Sequence, residues 1–454
     1  MEANLDVVEY RIILIDPASR KILGYKEDSK FRILRVSIPI ATRIARQLRA
    51  ELLRKWGIGA AILDFPSINE GSTPCAVAEL LKTDIPVHFS AARPDEIPDA
   101  DLSEPERTNL QKVLGDEVTD PFSRIGWMGE AIAWVESKTG RSLRPKTGIE
   151  QHNAGGAFTL LHLFMEDGST YWLKATGAPN AHERQITELL SALCPACLPH
   201  IVAQKPEWNA WLMTGGGCGL TSLPSDPDGL VQLLGQAVQS LAELQIETVG
   251  QESLLFGAGA FDQRLDVIRR NVDGLFAYVA EAMSLQTSTK APQIGPGRLK
   301  ELREILKKAC DHADRMGIPP TILHGDMNLG NLVFTEGRCQ FIDWSEGYVG
   351  HPLVTLQHLL LLNPLEDLAV KAKVDDALKG IYRATMSALC DPLVLTDGFE
   401  CMAFLAAASV LYGRGDWSEG DLRKDSPPLG YVRSVARHMD RSAREPAFRE
   451  VLCY

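Results

Sequence analysis

Residues 322–345 read ILHGDMNLGNLVFTEGRCQFIDWS, and this stretch decides the fold. An apolar pair leads into His324-Gly325-Asp326, and Asn331 lies five residues after Asp326. Residues 332–334 and 340–342 have strand composition and are predicted to form a hairpin that ends at Asp343. The hairpin brings Asn331 and Asp343 to one rim, with Asp326 nearby on the preceding loop.

These three side chains suit phosphoryl transfer. That reaction needs a carboxylate to orient the attacking hydroxyl and oxygen ligands to hold Mg²⁺ against the phosphates. Asp326 suits the first role, and Asn331 and Asp343 suit the second. Ordinary residue frequencies give roughly one chance in a thousand for His-Gly-Asp followed at this spacing by Asn. The motif therefore predicts a kinase-type site.

The stretch resembles the aminoglycoside phosphotransferase and choline kinase family over roughly residues 147–440. The resemblance implies an α+β, bilobal, protein-kinase-like fold with a β-rich N-lobe and a mostly helical C-lobe. It implies that Asp326 is the catalytic base and that Asn331 and Asp343 are metal ligands. ATP and Mg²⁺ are the implied cofactors. GTP stays open as an alternative nucleotide, because hinge contacts are mostly made by the backbone.

The resemblance also assigns residues in the N-lobe. Lys174, near the end of a predicted strand, resembles the lysine that grips the α- and β-phosphates. Its ion-pair partner on the following helix is expected to be Glu183, since apolar residues follow it at helical spacing. Glu188 is the alternative partner.

Two backbone segments are assigned in the same way. Gly155 and Gly156 lie where a phosphate-covering loop belongs, and glycines let backbone N–H groups approach an anion. A plain hairpin explains these glycines nearly as well. Met213 to Gly215 resembles the hinge whose backbone contacts the adenine. The glycines at 215–217 and 219 are not a Walker loop, because no Gly-Lys-Ser/Thr follows.

The chain departs from the family pattern at three places. Gly350-His351-Pro352 stands where the family often has Gly-Asp-Pro, Thr355-Leu356 where it has Asp-Leu, and Leu244-Gln245 where it has Leu-His. We expect these positions to be mainly structural and catalysis to be retained.

Three domains are predicted: a small α/β accessory domain at 1–120, the N-lobe with a leading helix at 121–220, and the C-lobe at 221–454. The accessory domain has predicted strands at 10–15, 31–36 and 60–63 and a helix at 44–56. It resembles a degenerate Nudix domain in which only Glu51 and Gly57 of the metal-binding helix motif are retained. We therefore expect no hydrolysis of nucleoside diphosphates there. Residues 92–122, rich in Asp, Glu and Pro, are interpreted as a linker or a loosely packed excursion.

Composition limits the remaining function classes. The chain has 454 residues, with 47 Lys and Arg against 59 Asp and Glu and a net charge of −12, which argues against nucleic acid as a partner. The apolar stretch 401–412 is shorter than the roughly 20 residues of a membrane span. The N-terminus lacks the basic and apolar regions of a secretion signal. Nine scattered cysteines do not form a disulfide framework. The expected location is cytoplasmic.

Two smaller motifs are open to functional interpretation. Cys194-Pro-Ala-Cys197 has the spacing of a redox or zinc half-site, but ordinary thiols are favoured because no second pair follows. Asp343-Trp-Ser-Glu-Gly recurs at Asp416 as a coincidence rather than a repeat. A cation-binding rim of four carboxylates is a hypothesis motivated by the acidic balance; its members are Glu346, Asp416, Glu419 and Asp421.

The predicted function is ATP-dependent transfer of phosphate to a hydroxyl of a small molecule, which is the expected partner: an aminoglycoside-like antibiotic, a sugar, an amino alcohol or another metabolite. The alternative is a nucleotide-binding pseudokinase that serves as a sensor or partner. Presence of the full residue set argues against it. A protein kinase ranks last, because seven residues from Asp343 to Gly350 leave no room for an activation loop.

Overall fold

The computed structural model describes residues 7–453 apart from 29, 40–42, 67–72, 82–87, 119, 146, 217, 220–221, 336 and 419–428. The chain divides into two compact units. The first comprises residues 1–184 and 200–216, and the second comprises residues 185–199 and 217–454. The three domain boundaries proposed from the sequence stay predictions.

A seven-stranded sheet with one helix beside it begins the first unit. Its elements are β1 (Val7–Asp16), β2 (Lys21–Glu27), β3 (Lys30–Arg32), β4 (Leu34–Pro39), α1 (Ile44–Trp56), β5 (Ala60–Asp64), β6 (Cys75–Leu80) and β7 (Phe89–Ala92). β1 is central, pairing antiparallel with β2 and β4 and parallel with β6. The helix buries Ala45, Leu48 and Leu52 on one face and ends at Gly57, whose positive φ of 69° is a common helix stop.

The acidic stretch 92–122 is folded, so the interpretation as a linker is wrong. It contains α2 (Glu104–Leu114), whose N-terminus is closed by reciprocal bonds between Ser103 and Glu106. Glu106 also forms a buried ion pair with Arg11 of β1, with Nη2 and Oε1 2.5 Å apart. Removing one partner of a buried pair costs about 3–5 kcal/mol. This contact therefore fixes the stretch against the sheet.

A helix and a second sheet complete the first unit. The elements are α3 (Trp127–Thr139), β8 (Ile149–Asn153), β9 (Phe158–Phe164), β10 (Thr170–Thr176), α4 (Glu183–Leu193), β11 (Ile201–Lys205) and β12 (Ala210–Thr214). The five strands are antiparallel in the order β11-β12-β10-β9-β8. Trp127 packs with Leu161, Leu173 and Leu212 in the core under this sheet. Helix α4 begins in the first unit and continues into the second.

The second unit is mostly helical. Its elements are β13 (Cys218–Gly219), α5 (Pro227–Glu247), α6 (Glu252–Gly257), β14 (Phe261–Gln263), α7 (Leu265–Ser284), α8 (Pro296–Arg315), β15 (Thr321–His324), β16 (Leu332–Thr335), β17 (Arg338–Phe341), β18 (Gly347–Gly350), α9 (Leu353–Leu360), α10 (Leu368–Met386), α11 (Pro392–Tyr412), α12 (Leu429–Ser442) and α13 (Pro446–Val451). Two small sheets lie among the helices, in the orders β13-β16-β17 and β14-β18-β15. The predicted α+β fold, β-rich first and helical afterwards, is confirmed.

Helix α11 is longer than the apolar stretch noted in the sequence. At 21 residues it is long and apolar enough to cross a membrane by length and composition. However, 61% of its most apolar window is buried in the protein. Phe404 and Leu411 belong to a core that α7, α8 and α12 share. Its composition is therefore accounted for by packing within the second unit.

Candidate active site

Asp326 and Asn331 are hydrogen-bonded to each other in the second unit. The amide Nδ2 of Asn331 donates to the backbone oxygen of Asp326 at 2.8 Å and to its carboxylate Oδ2 at 3.2 Å. Both acceptors require a donor, so Nδ2 must face Asp326 and Oδ1 must face away. Asn331 is buried, with 7% of its surface exposed. The pair is therefore held in one orientation before any ligand arrives.

His324 links the loop before Asp326 to the strand before Asp343. Its Nε2–H donates to the carbonyl of Ile342 at 2.9 Å, and its ring packs against Trp344. The N–H of Ile342 in turn donates to the carbonyl of Asn331 at 3.2 Å. Burial lowers the pKa of His324, so the ring is neutral and this tautomer is kept. The histidine of the motif thus positions the other two residues.

The hairpin forms at the predicted place. β16 and β17 pair antiparallel from Leu332 opposite Phe341 to Thr335 opposite Arg338. Asp343 follows with φ 66° and ψ 66°, a left-handed conformation that turns the chain at the strand end. Ser345 donates its hydroxyl to Asp343 Oδ1 at 3.1 Å. Asp326 and Asn331 are thus hydrogen-bonded to each other, and Asn331 is hydrogen-bonded to Ile342, the residue before Asp343.

Gly325 has no space for a side chain. A Cβ there would overlap the buried ring of Tyr348, whose hydroxyl donates to Glu346. We expect Gly325→Ala to lower the free energy of unfolding by about 1–3 kcal/mol and to displace Asp326, with loss of turnover. Gly380→Ala is the matched control, because a Cβ there meets nothing within 4 Å. Chemical denaturation of both variants measures the effect, and equal stability would contradict the stated packing.

The three departures from the family pattern have structural roles here. The hydroxyl of Thr355 accepts the backbone N–H of His324 at 3.0 Å. The side chain of Gln245 donates to the carbonyl of Pro352 at 2.9 Å and accepts from Tyr382 at 2.7 Å. His351 is buried without a hydrogen-bond partner for either ring nitrogen. Two of the three positions therefore brace the segments around His324.

Protonation of His351 makes the free energy of unfolding depend on pH. Burial lowers its pKa to about 4 from an ordinary value near 6.5. Below about pH 6.5 the unfolded chain takes up a proton that the folded chain excludes, so this contribution is present above pH 6.5 and is lost toward pH 4. We expect a loss of about 3 kcal/mol from this residue, measured by denaturation at several pH values. His351→Leu should flatten the dependence, and the control His200→Gln, at an exposed position, should not.

Lys174 and Glu183 are paired in the first unit. Lys174 Nζ lies 2.5 Å from Glu183 Oε1, and both side chains are more than nine-tenths buried. The lysine also lies over the rings of Phe158 and Trp211. Of the two glutamates considered from the sequence, the structure places Glu183 against the lysine. Contact of Lys174 with phosphates stays a prediction.

The glycine loop between β8 and β9 lies beside two carboxylates. Gly155 has a positive φ of 108°, and a Cβ on it would lie 3.7 Å from Oδ1 of Asp64. A Cβ on Gly156 would lie 3.4 Å from Oδ2 of Asp120. Burial and the charge of Asp64 raise the pKa of Asp120. Gly155 has a backbone conformation that favours glycine, the surroundings of the loop are acidic, and its role as a phosphate cover stays a prediction.

The backbone of the predicted hinge already makes some hydrogen bonds within the protein. The N–H of Gly215 donates to the carbonyl of Thr170 at 2.8 Å, and its own carbonyl accepts from the Thr170 hydroxyl at 3.1 Å. Met213 is buried in β12 opposite Trp172. The carbonyl of Gly215 keeps one lone pair for a further donor such as an adenine amino group.

The residues fit a hard divalent cation. Mg²⁺ prefers carboxylate and amide oxygens. The Asp343 carboxylate supplies one such group, and Asn331 supplies another because its Nδ2 is committed to Asp326. The donor set that the sequence predicted is thus chemically suited to Mg²⁺, and its role as a metal site stays a prediction.

A different group has metal-ligating geometry among the residues described. The ligand atoms of Glu150, His152 and His162 lie within 4.8 Å of one another. However, Arg43 donates to Nδ1 of His152, and Arg46 lies 3.3 Å from the carboxylate of Glu150. Two guanidinium groups oppose a bound cation, so a partly buried network of hydrogen bonds and ion pairs is the better explanation.

The Cys-Pro-Ala-Cys motif lies in the second unit. Both thiols are buried, with 2.7 Å between the sulfurs of Cys194 and Cys197. Cys197 donates to the carbonyl of Ser240 in α5. Neither belongs to the group with metal-ligating geometry found in the described residues. The thiols therefore pack α4 against α5, which agrees with the interpretation as ordinary cysteines.

The fold is the protein-kinase-like architecture of small-molecule kinases, and the roles of Asp326, Asn331 and Asp343 stay predictions. Residues 175–386 match the model of the phosphotransferase enzyme family. The resemblance stated from the sequence is thereby confirmed. The likeness of the accessory domain to Nudix domains stays a prediction.

Solved structures with a similar fold have low sequence identity to this chain. Macrolide 2′-phosphotransferase MphH from Brachybacterium faecium is 18% identical, with 67% of this chain and 98% of that chain covered and a TM-score of 0.44. Choline kinase from Cryptosporidium parvum is 11% identical, with 72% and 98% covered and a TM-score of 0.48. Ethanolamine kinase from Plasmodium vivax is 13% identical, with 77% and 97% covered and a TM-score of 0.46. A search of curated protein sequences finds no significant match.

Proposed function

We propose that the protein transfers the γ-phosphate of ATP, with Mg²⁺, to a hydroxyl group of a small molecule. The observation that carries the proposal is the hydrogen-bonded set of Asp326, Asn331 and the segment before Asp343. A free catalytic carboxylate, an amide oxygen and a second carboxylate are the groups that phosphoryl transfer requires.

In this proposal each residue has one task. Asp326 orients the acceptor hydroxyl and takes its proton as the oxygen attacks phosphorus. Lys174, held by Glu183, contacts the α- and β-phosphates. Asn331 and Asp343 hold Mg²⁺, which when bound offsets the negative charge of the phosphates. The Gly155–Gly156 loop covers the phosphates, and Met213 to Gly215 receives the base.

Transfer of label from γ-labelled ATP tests the proposal. The protein and its Asp326→Ala variant are incubated with Mg²⁺ and either a desalted small-molecule extract or a protein extract of cells. A labelled small product made by the wild type alone is the expected result. Label in protein would favour a protein kinase. Label in neither fraction, with Mg²⁺-dependent nucleotide binding intact, would favour the pseudokinase.

A further inference from the structure

A cavity opens beside Asp326 within the second unit. Its volume is about 440 Å³, and its walls come from the loop after β15 and from α9, α11 and α12. Small-molecule sites in proteins typically measure about 300–1,000 Å³. Because Asp326 lies in the wall, the cavity is where an acceptor hydroxyl would meet the proposed base. The inference below rests on the proposed function in this respect.

One stripe of α12 forms a wall of the cavity. Tyr431, Val435 and His438 recur at three- and four-residue spacing and line it, whereas Val432 and Met439 point into the core. Burial and the charge of Asp326 raise the pKa of Tyr431, which is 52% exposed. Tyr431 and Asp326 both line the cavity.

A positive charge lies at the other end of the stripe. Arg441 Nη2 is 3.4 Å from Nδ1 of His438, so its guanidinium lies level with that histidine. Tyr431 and His438 are seven residues apart, which corresponds to about 10 Å along a helix. The carboxylate of Asp326 and the guanidinium of Arg441 thus both belong to the walls of one cavity.

Part of the cavity wall is apolar, beside the polar side chains of Gln357, Ser434 and His438. Leu361, Ala407 and Val410 line it together with Val435. Leu361 is 57% exposed, which is high for a leucine. A compound with an apolar body would cover this surface and gain from its burial.

The structure gives no support to the hypothesis of a cation-binding rim. Glu346 is paired with Arg414 at 2.5 Å and accepts from Tyr348. Asp416 does not line the cavity, and Glu419 and Asp421 lie outside the described residues. Among the lining residues that the structure describes, Asp326 supplies the sole carboxylate. A polycation would therefore find one carboxylate and face a guanidinium.

We infer that this cavity binds a hydroxylated organic acid: a compound with a hydroxyl at Asp326 and an anionic group near Arg441. The phosphorylated hydroxyl and the acidic group lie at opposite ends of such an acceptor. This class differs in charge from amino alcohols and from polyamine antibiotics.

Three matched series of unbranched probes test the inference: ω-hydroxy acids, diols and ω-amino alcohols of equal length. Each series includes several chain lengths, so that the spacing between the hydroxyl and the other end group is varied. Binding is measured by calorimetry on the full chain with Mg²⁺ and a non-hydrolysable ATP analogue. We expect the hydroxy acid to bind about tenfold more tightly than the amino alcohol, with the difference decreasing as salt is added.

Arg441→Glu should reverse this order, and Arg441→Gln should abolish it. Arg441 is exposed at the end of α12, so neither change disturbs the core. Arg449→Glu is the matched control, because Arg449 is exposed and does not line the cavity. The Arg449→Glu variant should bind the three probe series in the same order of affinity as the wild type.

Label transfer from γ-labelled ATP to the same probes separates the two proposals. Preferential binding of the hydroxy acid without any transfer would support the cavity's charge preference and count against phosphotransfer. Tighter binding of the amino alcohol, or an Arg441→Glu variant that keeps the wild-type order, would overturn the inference. Absence of binding by all three series, with nucleotide binding intact, would also overturn it.

Discussion

Asp326→Asn is expected to reduce turnover by about 10²–10⁴-fold while leaving nucleotide affinity unchanged. The amide keeps the size of the carboxylate and can still bond to Asn331, so the loop should keep its conformation. What is lost is the ability to accept a proton from the acceptor hydroxyl. Steady-state kinetics with the acceptor, together with nucleotide binding measured by calorimetry, gives both quantities.

The control for this change is Asp416→Asn, which alters the equivalent side chain of the second Asp-Trp-Ser-Glu-Gly copy. That aspartate lies in a short turn of helix, Asp416–Ser418, and does not line the cavity beside Asp326. We expect the turnover of the Asp416→Asn variant to equal that of the wild type. Near-normal turnover of Asp326→Asn would show that another group takes the proton.

Lys174→Met is expected to have the second large effect, on both stability and nucleotide use. It leaves the buried carboxylate of Glu183 without its cation, which costs about 3–5 kcal/mol of unfolding free energy. It also removes the charge proposed to contact the phosphates. Denaturation reports the first loss, and the KM for ATP and kcat report the second.

The double variant Lys174→Met with Glu183→Leu separates these losses. Replacing a buried ion pair by apolar side chains is often neutral or stabilising, so stability should return. Nucleotide use should not return, because the charge is still absent. Lys205→Met is the control; it removes a lysine over the ring of Trp208 and should cost about 0.5–1 kcal/mol. Recovery of full activity in the double variant would rule out a phosphate-binding role for Lys174.

The catalytic stretch was predictable because its chemistry is local. Asp326, Asn331 and the strand end at Asp343 lie within 18 residues, so one loop and one hairpin bring them together. The positions of Lys174 and Glu183 follow a strand and the next helix and needed the resemblance as well. The hydrogen bonds of Gln245 and Thr355 could not be predicted from the sequence, because each depends on a partner from a distant segment.

The first sheet shows where sequence patterns failed. β6 is buried on both faces, so its sequence CAVAEL lacks the alternation that marks a strand. Helix α2 did carry a readable signal: Ser103 followed by Glu106 is a capping box, which the high Asp, Glu and Pro content obscured. Its ion pair with Arg11 spans 95 residues and is a tertiary contact that no local pattern encodes.

The left-handed backbone at Asp343 bears on how this site can change in evolution. Few residues other than Gly, Asn and Asp tolerate that conformation, and bulkier ones carry strain of about 1–3 kcal/mol. Of these three, aspartate alone brings a carboxylate. A substitution by glycine would lower the backbone strain at this position but remove the proposed metal ligand. A substitution by glutamate would keep the negative charge but leave the backbone strained. Selection for thermal stability would therefore favour glycine at this position, whereas selection for catalysis would favour aspartate.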